Sequence, residues 1–160
     1  MLPEFTPLRL LAHDEEDLTI LAAHLQDALI PLASMVYEQK NATFTMLANR
    51  FCWEHPPIDH EGAPMYHRVH AGFCFRNVDK VCHRGFERKG KTRILNLLTL
   101  HAKKNEAIHL ICSGSNEIRI ETKNLHCHLG DLQQPWPTRQ KPTHIYEHIE
   151  MMQEGAGLPK

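Results

Sequence analysis

Tyr66-His-Arg-Val-His-Ala-Gly-Phe-Cys-Phe-Arg76 alternates. Tyr66, Arg68, His70, Gly72, Cys74 and Arg76 fall on one side of an extended chain. His67, Val69, Ala71, Phe73 and Phe75 fall on the other. Successive strand side chains point to opposite faces, so this spacing predicts a strand with one greasy face against a core. The flanking sequence reads the same way. Upstream, Ala33–Glu38 and Thr43–Trp53 surround Gln39-Lys40-Asn41-Ala42, a hairpin signal in which Asn41 can adopt positive φ. His55–Pro64 is a loop by its three prolines and one glycine. Downstream, Val78–His83, Ile94–His101, Ala107–Cys112 and Glu117–Glu121 are further strands, with Ser113-Gly-Ser-Asn116 as a turn.

Two helices bracket this run. After a short strand at Pro7–Ala12, Asp14 caps a helix whose apolar stripe is Leu18, Leu21, Ala22, Leu25, Ala28 and Leu29. Pro31 ends it, because proline disfavours helical geometry at the residue before it. Lys123–Gln133 predicts the second, with Asn124 as cap, Leu125, Leu129 and Leu132 as stripe, and Pro135 and Pro137 closing it. The fold class expected is α+β: about seven mostly antiparallel strands with an N-terminal and a C-terminal helix. A pleckstrin-homology-like barrel has that order; the competing arrangement is an open antiparallel sheet with both helices on one face. Residues 1–142 form one domain in this reading. Residues 143–160 form a polar tail, in which Thr143–Met152 suits a short amphipathic helix.

Composition narrows the classes. The 160 residues are 42% hydrophobic and 23% charged, which supplies a core and excludes a disordered chain. No apolar run is long enough to cross a bilayer. The net charge of -1 argues against a general nucleic-acid coat. The opening Met1–Leu11 lacks the basic region and long apolar core of a secretory leader, so a cytoplasmic location is expected. The five cysteines, Cys52, Cys74, Cys82, Cys112 and Cys127, show no CxxC or zinc-ribbon spacing and read as reduced thiols.

The thirteen histidines invite a metal reading that spacing weakens. His126 and His128 lie about 200° apart on a helix. His67 and His70 point to opposite faces of a strand. His55 and His60, with Asp59 and Glu61, make the best local cluster, and there is no HExxH. No metal and no cofactor is expected. Gly85-Phe-Glu-Arg-Lys-Gly-Lys-Thr92 satisfies G-x-x-x-x-G-K-[ST] letter for letter. Yet a phosphate loop needs a buried strand before it and a helix after it, in a parallel sheet, so the match reads as chance.

Charge is unevenly spread. Residues 76–104 carry nine Lys/Arg and two acids, whereas residues 1–30 carry six acids and one arginine. The basic segment 84–93, with Arg84, Arg88, Lys89 and Lys91, is therefore a candidate site for a phosphate, a phospholipid head group or single-stranded nucleic acid. Its competing role is a solvated loop facing the acidic helix. In Asn49-Arg-Phe-Cys-Trp-Glu54, Arg50 and Trp53 could form a recognition patch; equally, Arg50 could pair with Glu54. An enzyme site would draw on Arg50, His67 and Arg68. No carboxylate pair or nucleophile elbow identifies a catalytic residue.

Leu8–Ala12, Asp14–Leu18, Ala23-His-Leu-Gln-Asp-Ala28, Asn49–Glu54, Leu129-Gly-Asp-Leu132 and Trp136-Pro-Thr-Arg139 resemble a family of small alphaproteobacterial proteins. That family is catalogued as domain of unknown function number 2948. The resemblance spans about Leu8 to His144. It implies no activity and transfers no catalytic residue. The expected function is thus a non-enzymatic interaction or binding domain. An anion-, phospholipid- or nucleic-acid-binding module using residues 84–93 is the alternative, and an enzyme of unknown reaction the second. The partner is an unknown protein or a small anionic ligand; nucleic acid fits less well, and exposed sheet edges would let a second copy form a homo-oligomer.

Overall fold

The computed structural model describes residues 4–85, 93–103 and 107–143. In chain order the elements are β1 (Arg9–Ala12), α1 (Glu15–Leu25), β2 (Ala28–Pro31), β3 (Val36–Glu38), β4 (Thr43–Phe51), β5 (Ile58–His60) and β6 (Ala63–Phe75). Then come β7 (Lys80–Arg84), β8 (Ile94–Lys103), β9 (Ala107–Cys112), β10 (Asn116–Glu121), β11 (Cys127–Asp131) and β12 (Trp136–Thr138). The strands form one twelve-stranded sheet in the order β1-β11-β6-β4-β2-β8-β9-β10-β7, with β12 and β5 on β6 and β3 on β4. Every pairing is antiparallel.

The alternation in β6 sets the inner face. His67, Val69, Ala71, Phe73 and Phe75 are all buried. Phe44, Met46 and Ala48 of β4 and Cys127 and Leu129 of β11 lie in register beside them. Side chains from β1 through β10 join a single core cluster. A sheet this long can share one core only by curling around it. Helix α1 contributes Leu18, Leu21 and Leu25 to the same cluster and touches β8, β1 and β4. Those strands lie far apart along the sheet, so the helix plugs the mouth of the curl. Asp14 caps it as expected, accepting from the Asp17 amide at 2.7 Å.

The α+β expectation is corrected to a mostly β fold with one helix, and the pleckstrin-homology-like order with a closing helix does not hold. The predicted helix at Lys123–Gln133 is strand β11. Cys127, Leu129 and Asp131 point inward at period two, and a pairing partner in β6 outweighs the leucine spacing. Helix α1 also ends before Pro31. Asp27 adopts φ +61, which aspartate tolerates, and its amide bonds Leu97 O at 2.7 Å. Ala28–Pro31 then bridges β4 and β8 as a strand. At the first hairpin the positive φ falls on Ala42, not Asn41. The loop before β6 contains β5, closed by Glu61 and Gly62 at positive φ. The predicted helix at Thr143–Met152 lies outside the described residues apart from Thr143.

Among the described residues no helix is long and apolar enough to cross a membrane. The Walker-like string does not sit in a phosphate-loop context. Strand β7 before it is antiparallel and largely exposed, and the next described element is strand β8. Gly85 has a steric reason instead. Its φ is +95, and a Cβ there would lie 2.5 Å from Ser115 O.

Candidate functional site

Arg50 continues the inward row of Phe44, Met46 and Ala48, so β4 carries its guanidinium inside the curl, where it is 0% exposed. The charge is held from two sides. Asp131, inward on β11, accepts from Nε and Nη2 at 2.8 Å each. Glu54, from the turn after β4, accepts from Nη1 at 3.0 Å and Nη2 at 2.7 Å. The remaining Nη1 hydrogen points to Phe51 O at 3.5 Å. All five donors of a guanidinium are thereby used. Asp131 also accepts the Leu8 amide at 2.8 Å, tying β1 into the same cluster. Burial favours loss of the Arg50 charge, but the bonds from Asp131 and Glu54 outweigh it and hold the proton more tightly than usual. Burial likewise raises Glu54, and the Arg50 bonds overcome it, leaving the carboxyl below its ordinary value.

Trp53 and Arg68 stand beside this cluster. The Trp53 indole donates to Gln26 O at 2.8 Å, at the end of α1. Arg68 donates through Nη1 to Asn49 O at 3.0 Å, with its guanidinium over the Phe51 ring at 5.8 Å. Burial lowers the Arg68 pKa, with the Asp27 charge opposing. Leu8 and the segments Ala23–Ala28, Asn49–Glu54 and Leu129–Leu132, distant in sequence, all meet here. Nearby groups are quiet: burial pushes the Cys52 thiol up to about 12 and lowers buried His67, whose Nε2 has no hydrogen-bond partner among the described residues. A saturated guanidinium and a thiol held protonated make this cluster a brace between β1, β4, β11 and α1.

The outer face of β7–β10 differs. Cross-strand register aligns His101, His109, Arg119 and Cys82 in one row. The next row places Glu117 opposite Arg84. These residues and His83 line an open groove of about 470 Å³. Glu117, the one carboxylate among the described lining residues, is bonded to His109 Nδ1 at 2.5 Å and to Arg84 Nη2 at 2.5 Å. The His109 bond first, and the Arg84 charge with it, hold Glu117 below its ordinary value. Arg119 reaches Glu121 at 2.7 Å. The Arg84 side chain is 81% exposed and that of Arg119 51%. Each guanidinium thus has one carboxylate beside it, Glu117 for Arg84 and Glu121 for Arg119, and both cations stay open to solvent.

Of the sequence candidates, Arg50, Trp53 and Arg68 are brought together at the brace, and Arg84 stands in the groove. Arg88, Lys89 and Lys91 lie outside the described residues. His101, His109, Glu117 and Arg119 were not singled out by sequence. They come from three strands, and strand pairing is what aligns them. Among the described residues no group of three or more His, Cys, Asp or Glu is placed to hold a metal ion.

A family model described as "Protein of unknown function (DUF2948)" matches residues 8–144. Comparison with curated proteins and with solved structures finds no match.

Proposed function

The chain belongs to the DUF2948 family of proteins of unknown function, and we propose that it is a non-enzymatic binding module whose ligand is a small anion held in the groove of β7–β10. The observation that carries this reading is the pair of exposed guanidiniums, Arg84 and Arg119, diagonal to one another on adjacent strands in one open groove. A guanidinium fork matches the oxygens of phosphate and carboxylate. Their present partners compete weakly, because exposed ion pairs contribute only about 0–1 kcal/mol. In the sequence Arg88, Lys89 and Lys91 follow Arg84 closely and add to the basic character of this part of the chain. A cytoplasmic setting fits the five free cysteines.

Titration with inorganic phosphate at low salt, followed by calorimetry and by histidine NMR signals, tests the reading. Two charge-assisted contacts predict a dissociation constant on the order of millimolar. Arg84→Ala with Arg119→Ala abolishes it. Absence of saturable binding in the native chain, or binding that survives both substitutions, overturns the proposal.

A further inference from the structure

Beside the two arginines lies a flat surface that anion binding alone does not use. His101 on β8 and His109 on β9 are direct cross-strand partners. Their rings stack at 5.2 Å between centroids and 18° between planes. His109 is half-buried and pinned through Nδ1 by Glu117, which fixes its ring. His101 is exposed and borders the groove. One side of its ring is spent against His109, leaving the other side to present. The same row continues to Arg119, two strands from His101, or about 10 Å at the usual strand spacing. Both side chains line the same groove.

Resting on the anion reading above, we infer that the groove takes a phosphate ester carrying a flat ring, a nucleoside monophosphate being the simplest. The phosphate sits on Arg84 and Arg119, and the ring lies on His101. Stacking on an aromatic side chain tolerates any base, since each has a π face, so this geometry selects the class rather than one base. Glu117 supports the arrangement by fixing the His109 ring on which His101 stacks.

Calorimetry of the full chain with inorganic phosphate, ribose 5-phosphate and adenosine 5′-monophosphate tests it. The adenosine nucleotide binds about tenfold tighter than ribose 5-phosphate. His101→Ala brings it down to the ribose 5-phosphate level, and His101→Phe, a flat ring without imidazole nitrogens, restores the preference. A nucleotide no tighter than ribose 5-phosphate overturns this inference and leaves the anion site standing. Failure of all three to bind overturns both. If His101→Ala weakens all three alike, the imidazole acts as a donor and the stacking assignment falls. A 5′-phosphorylated single-stranded trinucleotide separates the sources: affinity equal to the mononucleotide assigns a free nucleotide, higher affinity a strand end, and both carry the shared chemistry.

Discussion

Arg50 and Arg84 are the same side chain in opposite situations. Arg50 is wholly buried with every donor matched, and Arg84 is 81% exposed with one carboxylate beside it. The first has no donor left for a ligand, and its removal would strand Asp131, whose side chain is equally buried. The second gives up little when its partner leaves. Availability for binding is set here by solvation and saturation, not by residue type. Substitutions at the two sites should separate stability from binding.

The largest effect belongs to the brace. Arg50→Met leaves Asp131 ionised and buried without its cation, and a loss of about 3–5 kcal/mol in unfolding free energy is expected by guanidinium denaturation. Arg50→Met with Asp131→Leu removes both buried charges and should be less destabilised than Arg50→Met alone, Glu54 having solvent to turn to. A double variant at least as unstable as the single would show that the brace acts through shape or through the Leu8 amide rather than through charge.

How much of this was legible follows from which force decided each part. The inner row of β6 was readable because burial repeats every second residue and nothing local opposes it. Residues 123–133 were misread because Leu125, Leu129 and Leu132 fit a helix, while the pairing of Cys127–Asp131 with Ala71–Phe75 is a long-range fact. The Arg50–Glu54 pair was legible as an alternative, since the two lie four apart. Asp131, 81 residues away, was not. The groove was half legible: Arg84 stood out within a basic segment, but the residues that join it come from β8, β9 and β10, whose register the sequence does not print.

At the groove the expected change is in binding. Arg84→Ala should weaken phosphate about tenfold while moving unfolding free energy by less than about 0.5 kcal/mol. A large stability loss at Arg84 would erase the contrast with Arg50. Raising salt to about 1 M, where the screening length is about 3 Å, should suppress phosphate binding while the brace endures.

A smaller effect runs through pH. His67 is buried and its pKa lies below the ordinary 6.5. The unfolded chain therefore takes a proton near pH 6.5 that the folded ring refuses. Stability is full above that value and falls as pH drops through it. His126, lowered by its own desolvation and by His13, adds a slope of the same sign. His67→Gln should flatten the fall between pH 7.5 and 5.5 in a series of denaturation curves, and an unchanged slope would remove His67 from the account. Glu54 acts lower, its contribution being full above about 4.5 and lost as pH falls below.

Glu117 does at Arg84 what Asp131 and Glu54 do at Arg50, and it does so incompletely. Its carboxylate holds Arg84 and His109 but sits at an open surface. An incoming phosphate meets its negative charge as well as the two guanidiniums. Glu117→Gln removes one negative charge from the groove. At about 6 Å in water-like dielectric one such charge is worth about 0.7 kcal/mol, or about threefold in affinity. Phosphate binding should tighten by that factor at low salt, and the gain should vanish at high salt. A Glu117→Gln chain that binds more weakly would mean that the carboxylate aims Arg84 and His109 at the ligand. Glu117 would then belong to the site as a support, and the difference between groove and brace would be one of exposure alone.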